Sequence, residues 1–359
     1  MEYTKYFEEI AKFVNRKNLK LMEPLSKHTT VRIGGPADIF FTPKTRDELL
    51  IGIKKCREFD IPVTMLGWGA NTLISDKGIR GVVIRSHVKN IEIAGRTKKT
   101  KPSEITSNLS PRWNSYGDES VKKLYEFKDL DYQESHFPRV SVKMDAGVDL
   151  PYAISFTISK GITGLQWYSR IPGTIGGSIF NNIHGGTHYI SEVVESVEIM
   201  NRSGEILHLN KDELEFDYDY SRFHRTDEII LSAKFCLYEG DTNKARYVAM
   251  EWAKRKSIQP SNSLGCVFRN LSEEEKEKFS LPTSSFGYVI EHILKLDGFR
   301  IGDAMISSKH KAFIENVGKA TSKDYLSVML EVKKRAKTEL GIDVKPEIVF
   351  LGDFDETPF

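Results

Sequence analysis

The sequence has few cysteines and no long hydrophobic run. Its cysteines are Cys56, Cys236 and Cys266, three among 359 residues. This sparse, odd set argues against a disulfide framework and a zinc site and favours a reducing compartment, so we expect a cytoplasmic protein without a bound metal. No apolar stretch approaches the roughly 20 residues of a membrane span. Residues 1–20 lack the apolar core of a secretion signal and are typical of a short amphipathic helix.

An excess of either charge is also missing. The chain carries 52 lysines and arginines against 50 aspartates and glutamates, a formal net charge of +2. No basic stripe follows the chain, so we expect no nucleic-acid partner. Hydrophobic residues make up 40% and charged residues 28% of the chain, which allows a packed core and argues against wholesale disorder.

The hydrophobic pattern predicts an α+β fold of several parts. We assign residues 1–93 to a first subdomain, 139–240 to a second and 241–359 to a C-terminal domain. Residues 94–138 are rich in Lys, Ser, Glu and Tyr with a weak hydrophobic pattern. They are predicted to be an insertion or surface excursion, partly flexible.

Individual helices and strands follow from capping residues and periodicity. Thr45 with Glu48 forms a predicted capping box that opens a helix at 45–60. A helix at 325–340 has an apolar face, with Gly341 ending it. Further helices are predicted at 150–159 and 244–257, and strands at 63–66, 81–84, 140–144, 193–200, 205–209 and 229–237.

Two glycine-rich stretches follow extended segments: the first glycine segment (67–72, GWGANT) and the second glycine segment (171–177, IPGTIGG). Without Cβ atoms, successive backbone N–H groups can turn toward one point and hold a phosphate. Neither segment is a P-loop or a Rossmann fingerprint. The alternative is that they form tight turns only. Two clusters in adjacent α+β units, with Arg32 and two glycines upstream, favour a pyrophosphate site between subdomains.

The motifs together resemble the UDP-N-acetylenolpyruvoylglucosamine reductase (MurB) family. The matching stretches are 29–37 (TTVRIGGPA), 66–73 (LGWGANTL), 164–167 (GLQW), 171–177 (IPGTIGG), 213–216 (ELEF), 259–260 (QP), 264–270 (LGCVFRN), 301–304 (IGDA), 310–316 (HKAFIEN) and 345–348 (KPEI). Their order and spacing hold over the whole chain except residues 94–138.

This resemblance implies a vanillyl-alcohol-oxidase-type FAD-binding fold of two α+β subdomains with a C-terminal substrate domain. It implies NADPH as electron donor and reduction of an enolpyruvyl UDP-sugar to UDP-N-acetylmuramate, a step of peptidoglycan biosynthesis. We expect noncovalent FAD, with His184 and His188 as the residues to which a covalent link would form, and a monomer or weak homo-oligomer.

The resemblance also assigns the binding residues. The expected cofactor residues are Arg32, Gly67, Trp68, Gly69, Ala70, Asn71, Thr72, Ala146, Gly147, Ile171, Pro172, Gly173, Thr174, Gly176, Gly177, Ser178, Asn182 and Ile230. The expected substrate residues are Tyr218, Arg222, Asn270 and His310.

Three side chains serve the family's chemistry: a glutamate, a serine proton donor and an arginine. The glutamate falls on Glu347, whose alternative is a solvated carboxylate at a strand end. The serine position holds Cys266. A thiol, with an ordinary pKa near 8.5, can donate a proton or, as thiolate, act as a nucleophile. The alternative is an inert buried cysteine.

The arginine position is the main departure, because the family motif Tyr-Arg-x-Ser here has Asp219. At about 4 Å and an effective dielectric near 20, an ion pair contributes roughly 4 kcal/mol, and charge reversal makes that repulsive. Arg170, Arg222 and Arg225 are candidate replacements. The loop at 182–186 (NIHGG) is also altered.

Three functions remain open at this point. The chain reduces the enolpyruvyl UDP-sugar with a rewired anion site, or it oxidises a hydroxyl of another nucleotide sugar with Asp219 as base. In the third alternative FAD is a structural or sensory group.

Overall fold

The structure, a computed structural model, describes residues 2–97, 130–355 and 359. Most of the predicted insertion, residues 98–129, lies outside the described residues. Helices and strands are mixed along the chain, which confirms the α+β class. In the described part of the chain, no helix is both long and apolar enough to cross a membrane.

The first unit is a four-stranded sheet in the order β1-β2-β5-β3. β2, β5 and β3 are parallel, and β1 pairs antiparallel with β2. Its elements are α1 (Glu2–Ile10), β1 (Leu19–Pro24), β2 (Pro36–Phe41), α2 (Arg46–Glu58), β3 (Val63–Met65), β4 (Thr72–Ile74) and β5 (Ile79–Ile84). The N-terminal helix ends at Ile10 and is shorter than the predicted 1–20, and residues from Leu19 onward join the sheet.

The second unit is an antiparallel five-stranded sheet in the order β11-β10-β12-β7-β6. Its elements are β6 (Ile91–Thr97), β7 (Arg139–Asp145), α3 (Leu150–Ser159), α4 (Ile175–Phe180), β8 (His184–Gly185), β9 (His188–Tyr189), β10 (Val194–Met200), β11 (Ile206–Asn210) and β12 (Ile229–Tyr238). β8 and β9 form a small hairpin beside this sheet.

The C-terminal unit contains a sheet in the order β13-β16-β15-β14. Its elements are α5 (Thr242–Arg255), β13 (Ser263–Cys266), α6 (Glu273–Lys278), α7 (Phe286–Tyr288) with a π-helical turn (Val289–Ile293), β14 (Arg300–Ile301), β15 (Ala304–Ile306), β16 (Phe313–Asn316), α8 (Ser322–Leu340) and β17 (Val349–Leu351). β17 leaves this unit and pairs in parallel with β4 of the first.

The predicted helix ends are largely correct. Thr45 caps α2, since its hydroxyl accepts a hydrogen bond from the Glu48 amide. The Glu48 carboxylate does not complete the predicted box. It accepts hydrogen bonds from the Lys44 amide and the Asn18 side chain. Gly341 ends α8 at a φ of +72°, a left-handed conformation that glycine adopts without strain.

The predicted boundaries of the insertion need correction. Residue 94 lies inside β6, which pairs with β7. β6 is an edge strand with mostly exposed residues, so it lacks the apolar alternation that identifies a half-buried strand. At the other end, Leu130 is buried and the Glu134 carboxylate accepts hydrogen bonds from Thr163 and Gln166. Both described ends of the segment are thus part of the second unit.

The boundary at residue 240 also differs from the packing. α5 buries Ala245, Val248 and Trp252 in the core of the second unit, not in that of the C-terminal unit. Conversely, Val31 and Leu73 of the first unit belong to the C-terminal core. Because each of these two cores contains residues from two units, the units pack against each other through shared apolar side chains.

Candidate active site

The first glycine segment presents a row of open backbone amides. Within the described residues, none of the five consecutive N–H groups from Gly67 to Asn71 donates to a protein acceptor. The chain turns at Gly69, whose φ is +58° and whose carbonyl accepts a hydrogen bond from the Thr30 amide. Buried or half-buried amides without protein acceptors are unusual, and a run of them forms an anion site.

The second glycine segment has fewer open amides than predicted. The amides of Ile171, Ile175, Gly176 and Gly177 donate to Tyr168 O, Val148 O, Ala146 O and Thr174 Oγ1, at 3.1, 2.9, 2.9 and 3.2 Å. Among the described residues, only the amides of Gly173 and Thr174 in this segment have no protein acceptor. Most of its N–H groups therefore hold the turn together rather than forming a nest.

The two segments meet. A Cβ placed on Gly67 would lie 3.1 Å from Thr174 Oγ1, whereas a Cβ on Gly173 would have no heavy atom within 4 Å. Trp68 Nε1 donates to Asp149 Oδ1 at 2.7 Å, and Asp149 forms a β-bridge with Thr174. The open amides on both sides of this junction fit the pyrophosphate of FAD, since they offer only donors to its oxygens.

Other predicted cofactor residues have structural contacts. Gly176 packs on Ala146, where a Cβ would lie 3.0 Å from the alanine Cβ. A Cβ on Gly147 would lie within 2.6 Å of the carbonyl oxygens of Ser86 and Val88. Ala70 and Thr72 are half-buried in the first glycine segment, whereas Pro172 and Arg32 are exposed, the latter at a φ of +58°. Ser178 Oγ donates a hydrogen bond to Thr174 O. Ile230 lies in the core of the second unit.

The side chain of Asn182 makes its hydrogen bonds within the protein. Its side chain is fully buried, and its Nδ2 donates to Asp217 O at 2.9 Å while its Oδ1 accepts from the Ser191 amide at 3.2 Å. The amide group thus joins the altered loop to the segment that carries Tyr218 and Asp219. These bonds position the loop and disfavour a contact between the Asn182 side chain and the cofactor.

The three predicted catalytic residues come together. Glu347 N donates to Val267 O at 2.8 Å, and Asn71 Nδ2 donates to Glu347 O at 3.2 Å. The Glu347 segment therefore lies between the strand end that carries Cys266 and the first glycine segment. Both Glu347 and Cys266 interact electrostatically with Asp219.

The surroundings of the cluster raise the pKa values of Glu347 and Cys266. Burial raises the pKa of Glu347 well above its ordinary value, and the charge of Asp219 raises it further while Arg269 opposes the rise. Burial likewise raises the pKa of the Cys266 thiol, with further increases from Glu347 and Asp219. The upward shifts of the Glu347 and Cys266 pKa values favour the protonated carboxyl and thiol, which suits proton donation. The thiolate required for nucleophilic chemistry is disfavoured.

Asp219 occupies the position of the motif arginine with a φ of +48°. His184 Nδ1 lies 3.4 Å from Asp219 Oδ1, and Asp219 Oδ2 is buried without a hydrogen-bond partner among the described residues. The His184 ring lies between Tyr189 and Tyr218, with centroids 5.3 and 5.4 Å away. The hairpin β8–β9 thus brings His184 into the cluster.

Two of the three candidate replacement arginines are paired with carboxylates outside the cluster. Arg222 makes two hydrogen bonds of 2.9 Å to the Glu228 carboxylate and a third to Glu213 O. Arg225 pairs with Glu215 near the surface, and Arg170 is exposed. These pairings disfavour Arg222 and Arg225 as substrate residues, and no contact within the described residues supports Arg170.

Sequence reasoning missed two cations. Arg269 lies near Glu347, and its Nε is buried without a hydrogen-bond partner within the described residues. Lys256 lies near Cys266 with its Nζ 4.7 Å from the centre of the Trp252 ring, and burial lowers the pKa of Lys256 to about 7. Arg269 stands inside the matched 264–270 stretch, which was the available signal. Lys256 had none.

Asn270 and His310 lie in the C-terminal unit. Asn270 Oδ1 accepts a hydrogen bond from the Phe286 amide at 3.1 Å, and its residue is half-buried. His310 is buried beside Phe313, and burial lowers the pKa of His310 to about 4, so the ring is neutral. A neutral buried imidazole offers no cation to a substrate phosphate.

His188 has a structural role in the same hairpin as His184. Its Nε2 lies 2.8 Å from Asp131 and its Nδ1 2.9 Å from Glu192, and its ring stacks on Trp167. Burial opposes the charged ring, but the two carboxylates outweigh it and raise the pKa of His188 to about 9. Both ring nitrogens are engaged, so His188 is not placed to form a covalent flavin link.

Comparison with family models gives two matches. The model described as UDP-N-acetylenolpyruvoylglucosamine reductase, C-terminal domain, matches residues 258–351. The model described as FAD binding domain matches residues 126–210. The second match begins within the predicted insertion and covers the second glycine segment.

Relatives match over nearly the whole chain. The UDP-N-acetylenolpyruvoylglucosamine reductase of Pediococcus pentosaceus is 33% identical over 334 residues, which are 92% of this chain and 93% of that protein. That of Caldanaerobacter subterraneus is 30% identical over 96% of this chain and 98% of that protein. The crystal structure of the Thermus caldophilus enzyme is 26% identical, with a TM-score of 0.65, covering 93% of this chain and all of that one.

Proposed function

The chain belongs to the UDP-N-acetylenolpyruvoylglucosamine reductase family, and we propose that it reduces the enolpyruvyl double bond of that UDP-sugar to the lactyl ether of UDP-N-acetylmuramate. It is an FAD-dependent oxidoreductase. We propose NADPH as electron donor and the cytoplasm as location, in keeping with three free cysteines. The relatives named above are reductases, which disfavours oxidation of a hydroxyl on another nucleotide sugar.

The observation that supports this proposal is the contact between the cluster of Asp219, Cys266 and Glu347 and the open backbone amides of the first glycine segment. Asn71, which closes the row of open amides, donates its side-chain N–H to the carbonyl of Glu347. Burial and the charge of Asp219 raise the pKa values of Glu347 and Cys266 and so favour the protonated form of each. A proton-donating pair beside an FAD site is the arrangement that reduction of a polarised double bond requires.

The proposed cofactor contacts are made by backbone. The amides from Gly67 to Asn71, with those of Gly173 and Thr174, would donate to the pyrophosphate oxygens. When bound, FAD supplies the hydride chemistry. Trp68 is held by its hydrogen bond to Asp149, which keeps the two glycine segments in register.

The chain itself supplies protons and orientation. Reduction of the double bond adds a hydride to one carbon and a proton to its neighbour. We assign that proton to Cys266 Sγ or the Glu347 carboxyl, because raised pKa values favour the protonated form of both groups and they lie in one cluster. The second protonated group can then donate a hydrogen bond to the negative charge that develops on the enolpyruvyl group. Tyr218 and Asn270 stay as proposed substrate contacts.

Anaerobic flavin spectroscopy tests the reaction. NADPH should bleach the oxidised flavin absorbance of the purified protein, and the enolpyruvyl UDP-sugar should restore it. UDP-N-acetylmuramate is the control for the reverse direction. If the enolpyruvyl substrate leaves the flavin reduced while a saturated nucleotide sugar bleaches the oxidised protein, the proposed reductase function is wrong.

A further inference from the structure

We propose that Arg269 binds the carboxylate of the enolpyruvyl substrate and so replaces the arginine that the family motif places at the position of Asp219. This inference rests on the proposed function and deepens it, because it names the residue that recognises the charged part of the substrate.

The first argument is that Arg269 has unused hydrogen-bonding capacity. Its Nε is buried and has no hydrogen-bond partner within the described residues. A guanidinium carries five N–H donors and keeps its charge at any relevant pH. Leaving such a donor buried without an acceptor is unfavourable unless a ligand completes it. The missing partner is therefore expected to be an anion with planar oxygen acceptors, and a carboxylate has that geometry.

The second argument is location. Arg269 N donates to Lys345 O at 3.0 Å, and Phe268 forms a β-bridge with Pro346. The same pair of segments carries Glu347, whose carboxyl interacts electrostatically with Arg269. A carboxylate on Arg269 would thus place the adjoining double bond near the proposed proton donors, and the backbone bonds would hold both groups in fixed relation.

The third argument is that the other candidate cations do not offer the same contact. Arg222 is held by Glu228 through two hydrogen bonds, and Arg225 pairs with Glu215. The pKa of Lys256 is lowered to about 7 by burial, so near neutral pH it is charged in only part of the molecules. An ammonium also lacks the two-pronged geometry of a guanidinium.

The arrangement also explains how Asp219 is tolerated. Asp219 lies 3.4 Å from His184, and within the described residues it forms no ion pair with an arginine. A protonated Glu347 carries no charge and does not repel an anion. A substrate carboxylate in the cluster would then face the positive charge of Arg269 and the carboxyl group of Asp219. The anion is expected to sit on the Arg269 side of the cluster, with the Asp219 side left to neutral groups.

Two UDP-sugars that differ only in the enolpyruvyl group provide the test. The dissociation constants of the enolpyruvyl substrate and of UDP-N-acetylglucosamine would be measured by titration of the oxidised FAD holoenzyme, following the flavin absorbance change or the heat. Arg269→Gln should weaken the enolpyruvyl sugar by 10- to 100-fold and UDP-N-acetylglucosamine by less than twofold. Arg269→Lys should recover part of the loss. Arg222→Gln is the matched control and should leave the ratio of the two constants unchanged.

The outcomes separate this inference from the proposed function. If wild type prefers the enolpyruvyl sugar and both Arg269 variants keep that preference, the assignment to Arg269 is overturned and the reductase function stands. If Arg269→Gln weakens both sugars equally, the residue is structural and the inference is wrong. If wild type neither distinguishes the two sugars nor is reoxidised by the enolpyruvyl one, the proposed function itself fails, and the assignment fails with it.

Discussion

Raising the pH from 6 to 10 should remove the charge from His188 and loosen the hairpin that carries His184. His188 lies between Asp131 and Glu192, and only 18% of its side chain is exposed. Its pKa is raised from an ordinary value of 6.5 to about 9. Since one pKa unit corresponds to about 1.4 kcal/mol, the charged ring contributes roughly 3 kcal/mol to folding. A pKa raised by folding gives stability that is complete below pH 6.5 and lost as the pH rises through 9.

The assay compares wild type with His188→Gln at saturating FAD. The free energy of unfolding in urea, followed by circular dichroism, should differ most between the two proteins at pH 6, and the difference should shrink toward pH 10. His208→Gln is the control, because His208 is 66% exposed. Hydrogen–deuterium exchange of the amides at 184–192, corrected for the intrinsic effect of pH, should report the local loosening in wild type.

An equal pH dependence in wild type and His188→Gln would refute the reasoning. It would mean that the ring is neutral in the folded protein, or that the two carboxylates do not depend on its charge. A pH effect that appears in His208→Gln but not in His188→Gln would assign the dependence to another group.

Two further predictions concern the cofactor and the proton donor. Gly173→Val should lower FAD affinity at least tenfold without changing the melting temperature of the apoprotein, because no protein atom lies within 4 Å of its Cβ position. Gly69→Ala should lower both the FAD affinity and the melting temperature, since its Cβ would lie 2.6 Å from His28 O at a φ of +58°. Equal apoprotein melting temperatures for Gly69→Ala and wild type would contradict this account. Cys266→Ser should keep most of the rate of flavin reoxidation, whereas Cys266→Ala should lower turnover more than substrate binding. Wild-type rates in both cysteine variants would exclude the thiol as donor.

The structure also changes the reason why glycine is needed at positions 69 and 176. Gly69 and Gly176 look like glycines that leave room for a phosphate. In the structure a Cβ on Gly69 would meet protein backbone, and one on Gly176 would meet Ala146. Both glycines serve close approach within the protein. The position open to a ligand is Gly173, and sequence cannot tell these cases apart because all three lie in similar glycine-rich turns.

The elements were predictable where the determining interactions are local. The helix at 150–159 was predicted with the bounds of α3. The apolar face predicted for the last helix comprised Tyr325, Val328, Met329, Val332, Ala336 and Leu340, and all of these except the half-buried Leu340 are buried in α8. Helical periodicity and a terminal glycine depend on neighbouring residues, so sequence reports them well. The exposed edge strand β6 was missed because it lacks an alternating pattern.

The sequence by itself determined the family and its cofactor FAD, and it named the two proton-donor candidates, since each is recorded in a contiguous motif. Only the tertiary structure decided the partners of the charges. Residues 219, 266 and 347 are far apart in sequence, and they meet because β17 returns to β4 and the Glu347 segment bonds to the Cys266 strand. The same packing holds Arg222 on Glu228 and leaves Arg269 Nε without a protein acceptor in the described chain. Charge depends on residue type, but the interaction of a charge depends on distance and burial, which long-range packing sets.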